Sequence, residues 1–406
     1  MRKKLLLSLA LATLCTASWY PTTHTMAAEV TVMDNTQATA QAQTHVVART
    51  ADNAVRAVSK INNPAPLQLT QEWDKTFPKS DKVDHKKVTF VNRYGITLAG
   101  DMYIPKNLGH KKVAALAVSG PFGAVKEQSS GLYAQTMAEQ GFVTVAFDPS
   151  YTGESGGQPR NTASPDINTE DFSAAVDFLG QQKNVDRNRI GLIGICGFGG
   201  MALADATIDH RVKAVATFSL YDMTESIGHG LNHAYTEENR QKVYDDLAQK
   251  RWAAIDRGTT APDYHERPFD QNGQIIHLTD GNMLPETLPS NADPVTKDFF
   301  SYYRTQRGYH PRSINSAYAW NDTIPYSFMN FDLLNHIDEI APRPVLLVAG
   351  EKAHSLYMSQ NVYKRLQGNN NQLLIIPNTT HVDLYDQTAK IPFQTVTDFF
   401  NKNLAK

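Results

Sequence analysis

The sequence is poor in cysteine, in long apolar runs and in net charge. Its 406 residues include only two cysteines, which excludes a fold held together by several disulfides. No apolar run reaches the roughly 18–20 residues that a membrane-spanning helix needs. Lys and Arg number 39 against 41 Asp and Glu, so the formal net charge of −2 argues against a nucleic-acid binder with a broad basic face. With 41% hydrophobic and 20% charged residues, the composition is typical of a globular protein.

The first residues have the pattern of an export signal. A basic start at residues 2–4 is followed by an apolar stretch at residues 5–15 and then by small residues. Cleavage is expected after Ala17 or, preferably, after Ala28. Residues 1–28 are therefore predicted to be a signal peptide that is removed, and the protein is expected to be periplasmic or secreted.

Strands and helices are predicted to alternate from about residue 86 onwards, after a polar segment at residues 29–66 that is predicted to be a flexible tether. This alternation predicts an α/β fold with a mostly parallel central sheet flanked by helices. Residues 67–222 and 331–406 are predicted to form the core, and residues 223–330 a lid or cap insertion. The predicted core strands span residues 88–91, 96–104, 113–118, 142–147, 190–195, 212–218, 344–349 and 373–376.

The most informative segment surrounds Cys196. A buried strand is predicted to end at this cysteine, and small residues then open a helix, which is the pattern of a strand-to-helix nucleophile elbow. The N terminus of that helix is expected to favour the thiolate. After signal removal Cys196 would be the only cysteine, and retention of a free thiol in an oxidising compartment indicates a role. Phe198 departs from the pattern, because this turn usually carries glycine there. The alternative interpretation is a small buried apolar side chain.

Ser155 lies in a second candidate motif. Residues 153–157 read GESGG and match the G-x-S-x-G nucleophile pattern literally. No predicted strand leads directly into this segment, and no predicted helix follows it. We therefore interpret it as a loop after a core strand, with Cys196 as the preferred nucleophile.

Over about residues 85–405 the chain resembles the α/β-hydrolase superfamily in several sequence features. They are the SGPFG segment at residues 119–123, Asp148 followed by residues 153–155, the elbow at Cys196 and a late histidine. The use of cysteine at the elbow resembles the dienelactone-hydrolase-like branch. The GICGFGGMAL segment is also similar to that of poorly characterised bacterial hydrolases. This resemblance implies an α/β-hydrolase fold and chemistry on carboxylic esters, and it does not specify a substrate.

The resemblance implies that His381, directly after the last predicted strand, is the base that activates the thiol. The acid that would orient this histidine is less clearly marked. The resemblance places it at position 353, which is Ala353, so Glu351 is the first candidate and Asp222 the alternative. Asp383 is a weaker third candidate, and a Cys–His pair without an acid also remains open.

Two backbone N–H groups are expected to form an oxyanion hole. The first belongs to Gly197, the residue after the nucleophile. The second is assigned to Phe122, because Pro121 has no N–H to donate. Tyr221, Trp320 and Tyr326 are predicted to bind the substrate; Trp320 and Tyr326 belong to an aromatic group, which comprises Tyr302, Tyr303, Tyr309, Tyr318, Trp320, Tyr326 and Phe328.

We found no sequence signal for a metal or cofactor. His229 and His233 are spaced i, i+4, but they lack the glutamate of a zinc protease motif, so they are interpreted as a solvated helix face. The glycines around Cys196 are not followed by the lysine of a phosphate-binding loop. We expect a small acyl compound as the substrate, no cofactor and no nucleic-acid partner. The oligomeric state is left open.

Together these observations predict an exported hydrolase that cleaves an ester, thioester or lactone through an acyl-Cys intermediate. An acyltransferase on the same scaffold is the first alternative, since a dry aromatic lid would protect the intermediate from water. A binding protein with a degenerate hydrolase site is the second, motivated by the missing acid at Ala353 and by Phe198.

Overall fold

The computed structural model describes residues 66–106 and 108–405. The predicted signal peptide, residues 1–28, and nearly all of the predicted tether, residues 29–66, lie outside the described residues. Within the described residues, no helix is both long enough and apolar enough to cross a bilayer.

Eight strands form the main sheet, in the order β1-β2-β4-β3-β5-β6-β9-β10. β1 pairs antiparallel with β2, and β2 pairs antiparallel with β4, whereas all the other pairs are parallel. The predicted mostly parallel sheet is therefore confirmed. Two short strands, β7 and β8, pair with each other outside it. The strands are β1 (Val83–Val91), β2 (Thr97–Pro105), β3 (Val113–Ser119), β4 (Val143–Phe147), β5 (Val185–Ile195), β6 (Val212–Phe218), β7 (Pro262–Asp263), β8 (Trp320–Asn321), β9 (Val345–Gly350) and β10 (Gln372–Ile376).

Helices connect the strands and cover both faces of the sheet. The α-helices are α1 (Ser129–Glu139), α2 (Pro165–Gly180), α3 (Gly197–Ile208), α4 (Met223–His229), α5 (Glu237–Arg257), α6 (Pro294–Tyr303), α7 (Ile314–Ala317), α8 (Leu356–Arg365), α9 (Asp383–Asp386) and α10 (Phe393–Asn403). Short 3₁₀ turns cover Leu231–His233, Ile324–Ser327 and Ile337–Ile340.

The central strand β3 shows why its residues form a continuous apolar run. Ala115 and Ala117 pack into the hydrophobic cluster that contains residues of α2 and α3. Leu116 and Val118 point to the opposite face and pack into the cluster that contains residues of α1 and α10. Because successive side chains alternate between two buried faces, both must be apolar.

The carboxyl ends of the parallel strands hold the predicted reactive residues. Phe122 follows β3, Cys196 follows β5 and His381 follows β10. The long connection between β6 and β9 contains α4 to α7 together with β7 and β8. Its residues form part of the cavity described below, while the division of the chain into a core and a lid stays a prediction.

Candidate active site

Cys196 occupies a sharp turn between β5 and α3. Its backbone has φ +55° and ψ −127°, a conformation that costs energy for any residue with a side chain. Three backbone hydrogen bonds hold it there. Its N–H donates to the carbonyl of Phe218 at 2.9 Å, and its own carbonyl accepts from Gly199 at 2.8 Å and Tyr221 at 3.0 Å. The geometry is that of a nucleophile elbow, which places the side chain at the carboxyl end of the sheet.

The tight turn requires glycine at specific neighbours of Cys196. A Cβ at Gly194 would lie 2.2 Å from the carbonyl oxygen of Phe198. A Cβ at Gly197 would lie 2.7 Å from Met223 and 2.9 Å from the Cβ of Phe122. Neither position has room for a larger residue unless the backbone or the packing moves.

Phe198, which departs from the usual glycine, is accommodated by a glycine on a different loop. Gly120 has φ +93°, and a Cβ there would meet the carbonyl oxygen of Ile195 at 2.2 Å and the Cβ of Phe198 at 2.8 Å. The Phe198 ring is buried and lies 6.2 Å from the ring of Phe172, centroid to centroid. The departure therefore leaves the turn intact.

The thiol of Cys196 is surrounded by hydrogen-bond donors. The N–H groups of Phe122 and Gly197 and the hydroxyl of Tyr385 lie near enough to the sulfur to lower the pKa of the thiol as hydrogen-bond donors. The two backbone groups are those predicted for the oxyanion hole, and the structure brings them together at the sulfur.

The expected thiolate is not the resting state. Only 7% of Cys196 is exposed, and burial raises the pKa of its thiol above the usual 9.0, although the three hydrogen bonds act to lower it. The helix N terminus does favour the thiolate, since the N–H of Gly197 lowers the pKa, but desolvation outweighs this effect and the resting thiol is protonated.

His381 is fully buried and reaches the cysteine through Tyr385. Its Nε2 lies 3.0 Å from the Tyr385 hydroxyl, and the same hydroxyl acts on the thiol of Cys196 as a nearby hydrogen-bond donor. Its Nδ1 lies 2.7 Å from Oγ of Ser355. Burial, followed by the charge of nearby His354, lowers the pKa of His381 well below its usual value, so the resting imidazole is neutral. In the described residues, no hydrogen bond joins Cys196 directly to His381.

None of the carboxylates considered from the sequence contacts His381. Glu351 is exposed and accepts the N–H of Asn378 at 2.9 Å. Asp222 instead caps α4, accepting the N–H of Thr224 at 2.9 Å. The assignment of either one as the partner of the histidine needs correction, because the chain after β9 turns so that a serine, Ser355, faces the ring.

Asp383, the weaker third candidate, is also engaged elsewhere, where its Oδ2 lies 2.5 Å from the ammonium of Lys390. Sequence reasoning missed Ser355 and Tyr385, the two described side chains that hydrogen-bond to the ring of His381. Tyr385 stands four residues after the histidine, a spacing that brings side chains together on a helical turn and could have identified it. Ser355 had no such signal.

A cavity of about 310 Å³ opens beside Cys196. Tyr221 and Trp320 line it, as predicted for substrate-binding residues, and the Trp320 ring stacks on that of Phe122 at 4.5 Å. Tyr326 does not line this cavity. It is 56% exposed and packs against the guanidinium of Arg251, because it lies on a 3₁₀ turn that faces away.

Ser155 and the two spaced histidines lie outside this cavity. Ser155 is buried, donates to the carbonyl of Asp148 at 2.6 Å and accepts the N–H of Ala99 at 2.9 Å. It therefore holds a loop against β2. The rings of His229 and His233 lie 5.6 Å apart, and within residues 66–106 and 108–405 no three His, Cys, Asp or Glu side chains are grouped to hold a metal.

Comparisons with known proteins agree with this architecture. A family model described as X-Pro dipeptidyl-peptidase (S15 family) matches residues 94–383. An uncharacterised Pseudomonas aeruginosa protein, PA2218, is 55% identical over 338 residues, covering 83% of this chain and 86% of its own. Its crystal structure superposes with a TM-score of 0.77 and 54% identity, over 84% of this chain and 100% of that one.

Two further relatives are more distant. Uncharacterised protein YcjY of Escherichia coli K12 is 31% identical over 326 residues, or 79% of this chain and 99% of its own. Polyketide transferase GrgF of a Penicillium species is 31% identical over 277 residues, or 68% and 80% of the two chains. The crystal structure of GrgF, titled an α/β-hydrolase, covers 80% of this chain and 100% of its own with a TM-score of 0.62 and 20% identity. The predicted α/β-hydrolase fold is confirmed.

Proposed function

We propose that this chain, which belongs to the X-Pro dipeptidyl-peptidase (S15) family of α/β-hydrolases, cleaves an ester, thioester or lactone through an acyl intermediate on Cys196. The observation that carries the proposal is the set of donors around one sulfur atom. Two backbone N–H groups, from Phe122 and Gly197, and the hydroxyl of Tyr385 converge on the thiol at the wall of a cavity. A cysteine in this role would place the protein in the dienelactone-hydrolase-like branch.

Acylation requires the thiol proton to leave as the sulfur attacks the carbonyl carbon. The Tyr385 hydroxyl has one proton, which it can turn either to the sulfur or to Nε2 of His381. For this step it turns to Nε2, and as the phenol passes that proton to the imidazole its oxygen accepts the proton of the thiol, so the phenol is neutral before and after. Nδ1 of His381 keeps its proton throughout and uses it to donate a hydrogen bond to Oγ of Ser355. The C–S bond forms, and the negative charge on the carbonyl oxygen is stabilised by the two backbone N–H groups.

Collapse of the tetrahedral intermediate breaks the bond to the leaving group. The leaving group takes a proton from Nε2 of His381 through the hydroxyl of Tyr385, and acyl-Cys196 remains. A water molecule then attacks the acyl carbon and transfers a proton towards the imidazole. The carboxylic acid leaves, and the thiol takes back its proton. No cofactor takes part in these steps.

Acyl transfer is the second candidate, since the cavity wall is largely aromatic and aliphatic. Phe122, Trp320, Phe299, Met223 and Leu284 all line it. Such a wall holds little water, which prolongs the life of an acyl-Cys and allows an alcohol or amine to accept the acyl group. The relative GrgF, named a polyketide transferase, is consistent with this second reading.

The test compares the wild type with Cys196→Ala and Cys196→Ser on a panel of short-chain esters, thioesters, a lactone and an X-Pro anilide. We expect hydrolysis of an oxygen or sulfur ester by the wild type, no activity in Cys196→Ala and at most traces in Cys196→Ser. Intact-mass spectrometry during turnover would show one added acyl group, and added alcohols would show whether transfer competes with water.

Equal activity in all three proteins would refute Cys196 as the nucleophile. An inert wild type that nevertheless retains an acyl compound in its cavity would instead indicate a binding protein, the reading that the missing acid had suggested.

Export is proposed separately, from residues 1–28. We expect the mature protein, recovered from the periplasm or the medium of a bacterial host, to begin after Ala28 or after Ala17. The intact mass of the recovered protein checks this, and a full-length chain confined to the cytoplasm would contradict it.

A further inference from the structure

Among the described residues, the side chains that line the cavity beside Cys196 include one carboxylate and no Lys or Arg. Glu266 is the only Asp or Glu among the described residues that line it, and neither Lys nor Arg lines it. The two lining imidazoles, His265 and His354, are neutral near pH 7, because burial lowers the pKa of each, that of His354 to about 4. The wall of the cavity therefore carries a net negative charge.

The charge of Glu266 is not cancelled by a neighbouring cation. Its Oε1 accepts a hydrogen bond from Oγ of Ser226, and among the described Lys, Arg and His side chains only the neutral His265 lies within 4 Å of its carboxylate, at 3.8 Å. The adjacent Arg267 points elsewhere, with its Nε 2.8 Å from Oδ2 of Asp246. Among the described residues, no Lys or Arg forms an ion pair with Glu266, so its charge is available to a ligand.

A short chain of contacts links this carboxylate to the reactive cysteine. The hydroxyl of Ser226 donates to Glu266 and lies close to the phenol of Tyr221, whose pKa it acts to lower. The backbone N–H of Tyr221 in turn donates to the carbonyl of Cys196 at 3.0 Å. The negative charge therefore lies in the same cavity as the thiol, on a wall connected to it.

Aromatic faces add a second attraction for positive charge. Trp320 and Phe122 stack at 4.5 Å, and the other Phe and Tyr rings that line the cavity are those of Tyr221, Phe299, Tyr303 and Tyr385. The negative face of an aromatic ring attracts ammonium groups, and quaternary ammonium groups are often bound by several such rings. Glu266 and these rings therefore favour the same class of ligand.

We infer that the cavity selects acyl substrates that carry an ammonium or quaternary ammonium group on the part beside Glu266, and disfavours those that carry a carboxylate or phosphate there. The inference rests on the proposed function, since it concerns the substrate of the same site. A partly exposed carboxylate is expected to favour a positively charged ligand over a matched negatively charged one by roughly tenfold.

The test uses the thiol itself as the probe of the cavity charge. In a Cys15→Ser background Cys196 is the only cysteine. The thiol of Cys196 is allowed to react with three methanethiosulfonates. One is neutral (methyl), one bears trimethylammonium and one bears sulfonate. In each case the thiolate attacks the sulfenyl sulfur, a disulfide forms and methanesulfinate leaves with the bonding electrons. The rate of labelling is followed by intact mass at mildly alkaline pH. For each reagent it is divided by the rate at which the same reagent reacts with 2-mercaptoethanol.

We expect the normalised rate of the cationic reagent to exceed that of the anionic one by roughly tenfold. Glu266→Gln should bring this ratio close to one. Glu238→Gln is the matched control, since it removes one carboxylate from an exposed position on α5, and it should leave the ratio unchanged. Matched thioesters ending in trimethylammonium or carboxylate should follow the same order in kcat/KM.

A wild-type ratio near one, or a ratio that Glu266→Gln does not alter, would overturn the inference. Neither result would contradict the proposed function, which is tested separately by the loss of hydrolysis in Cys196→Ala. If Cys196 resisted even the neutral reagent in the folded protein, both proposals would fail, because a thiol closed to the cavity can attack no carbonyl.

Discussion

Desolvation and hydrogen bonding act in opposite directions on the thiol of Cys196. Burial raises its pKa, while the N–H groups of Phe122 and Gly197 and the hydroxyl of Tyr385 lower it. The neutral His381 behind Tyr385 gives the proton a destination without a standing ion pair. Under the proposed mechanism, the thiol stays protonated until a carbonyl arrives, and a protonated thiol is also less prone to oxidation.

Ser355 is expected to act as a positioning residue, because it occupies the place where a carboxylate would orient His381. Ser355→Ala leaves a buried Nδ1 without a partner, which costs about 1–3 kcal/mol. We expect kcat to fall by roughly tenfold with little change in KM. Ser355→Asp supplies a carboxylate, so it should raise the pKa of His381 and move the acid limb of the pH profile upward. An unmoved limb would contradict this role.

The pH dependence of kcat/KM follows from the neutral state of His381. The base is active when unprotonated, and its pKa lies well below the usual 6.5 because the ring is buried. Activity of the wild type should therefore persist on acidification from neutral pH until well below 6.5. Measurement of kcat/KM over a range where the protein stays folded checks this, and an acid limb at or above 6.5 would count against the buried base.

At the scale of secondary structure, the junction of β5 and α3 places Cys196, the proposed nucleophile. The strand must end with a residue that tolerates positive φ, and the first helical turn must pass within contact distance of the strand. Gly194 makes that approach possible, since its missing side chain leaves room for the carbonyl of Phe198. The elbow was predictable because its requirements are local and fall on consecutive residues.

Gly194→Ala should disrupt this junction. The added Cβ would lie 2.2 Å from a backbone oxygen, a contact that only a backbone shift relieves. We expect a loss of about 3 kcal/mol in the free energy of unfolding together with loss of esterase activity. Urea denaturation with activity assays tests both.

Gly180→Ala is the control for this prediction. Its Cβ would meet Arg187 at an ordinary 3.6 Å at the end of α2, so stability should hold or rise slightly. Equal stability of the two variants would refute the argument from the turn.

At the scale of the whole molecule, a buried network of charges ties the antiparallel edge of the sheet to the loops after β3 and β4. The ammonium of Lys126, fully buried, lies 2.8 Å from Glu127, 2.8 Å from Asp148 and 2.7 Å from Glu154. Lys87 of β1 joins it, 2.8 Å from Glu127 and 2.6 Å from Glu154. These carboxylates raise the pKa of Lys126 well above its usual value despite its burial, so it stays charged.

Lys126→Met should destabilise the fold strongly, because it leaves several buried carboxylates without their central cation. Breaking such a buried arrangement costs about 3–5 kcal/mol. Lys82→Met is the control. Its side chain is 70% exposed and lies 3.5 Å from Glu139, so its loss should cost at most about 1 kcal/mol. Free energies from urea denaturation compare the two, and similar losses would show that the network contributes little.

The sequence by itself determined the parallel sheet, the elbow at Cys196 and the pair of backbone donors at Phe122 and Gly197. The sheet depends on periodicity, the elbow on nearby glycines and the choice of Phe122 on the missing N–H of Pro121, and each of these constraints involves residues close together in the chain. The tertiary structure decided that Ser355 rather than Glu351 faces His381. It also decided that Tyr385 stands between base and thiol, and that Glu266 rather than Tyr326 enters the cavity. These contacts join side chains from separate loops, and the path of a loop depends on packing against the rest of the chain rather than on its own residues.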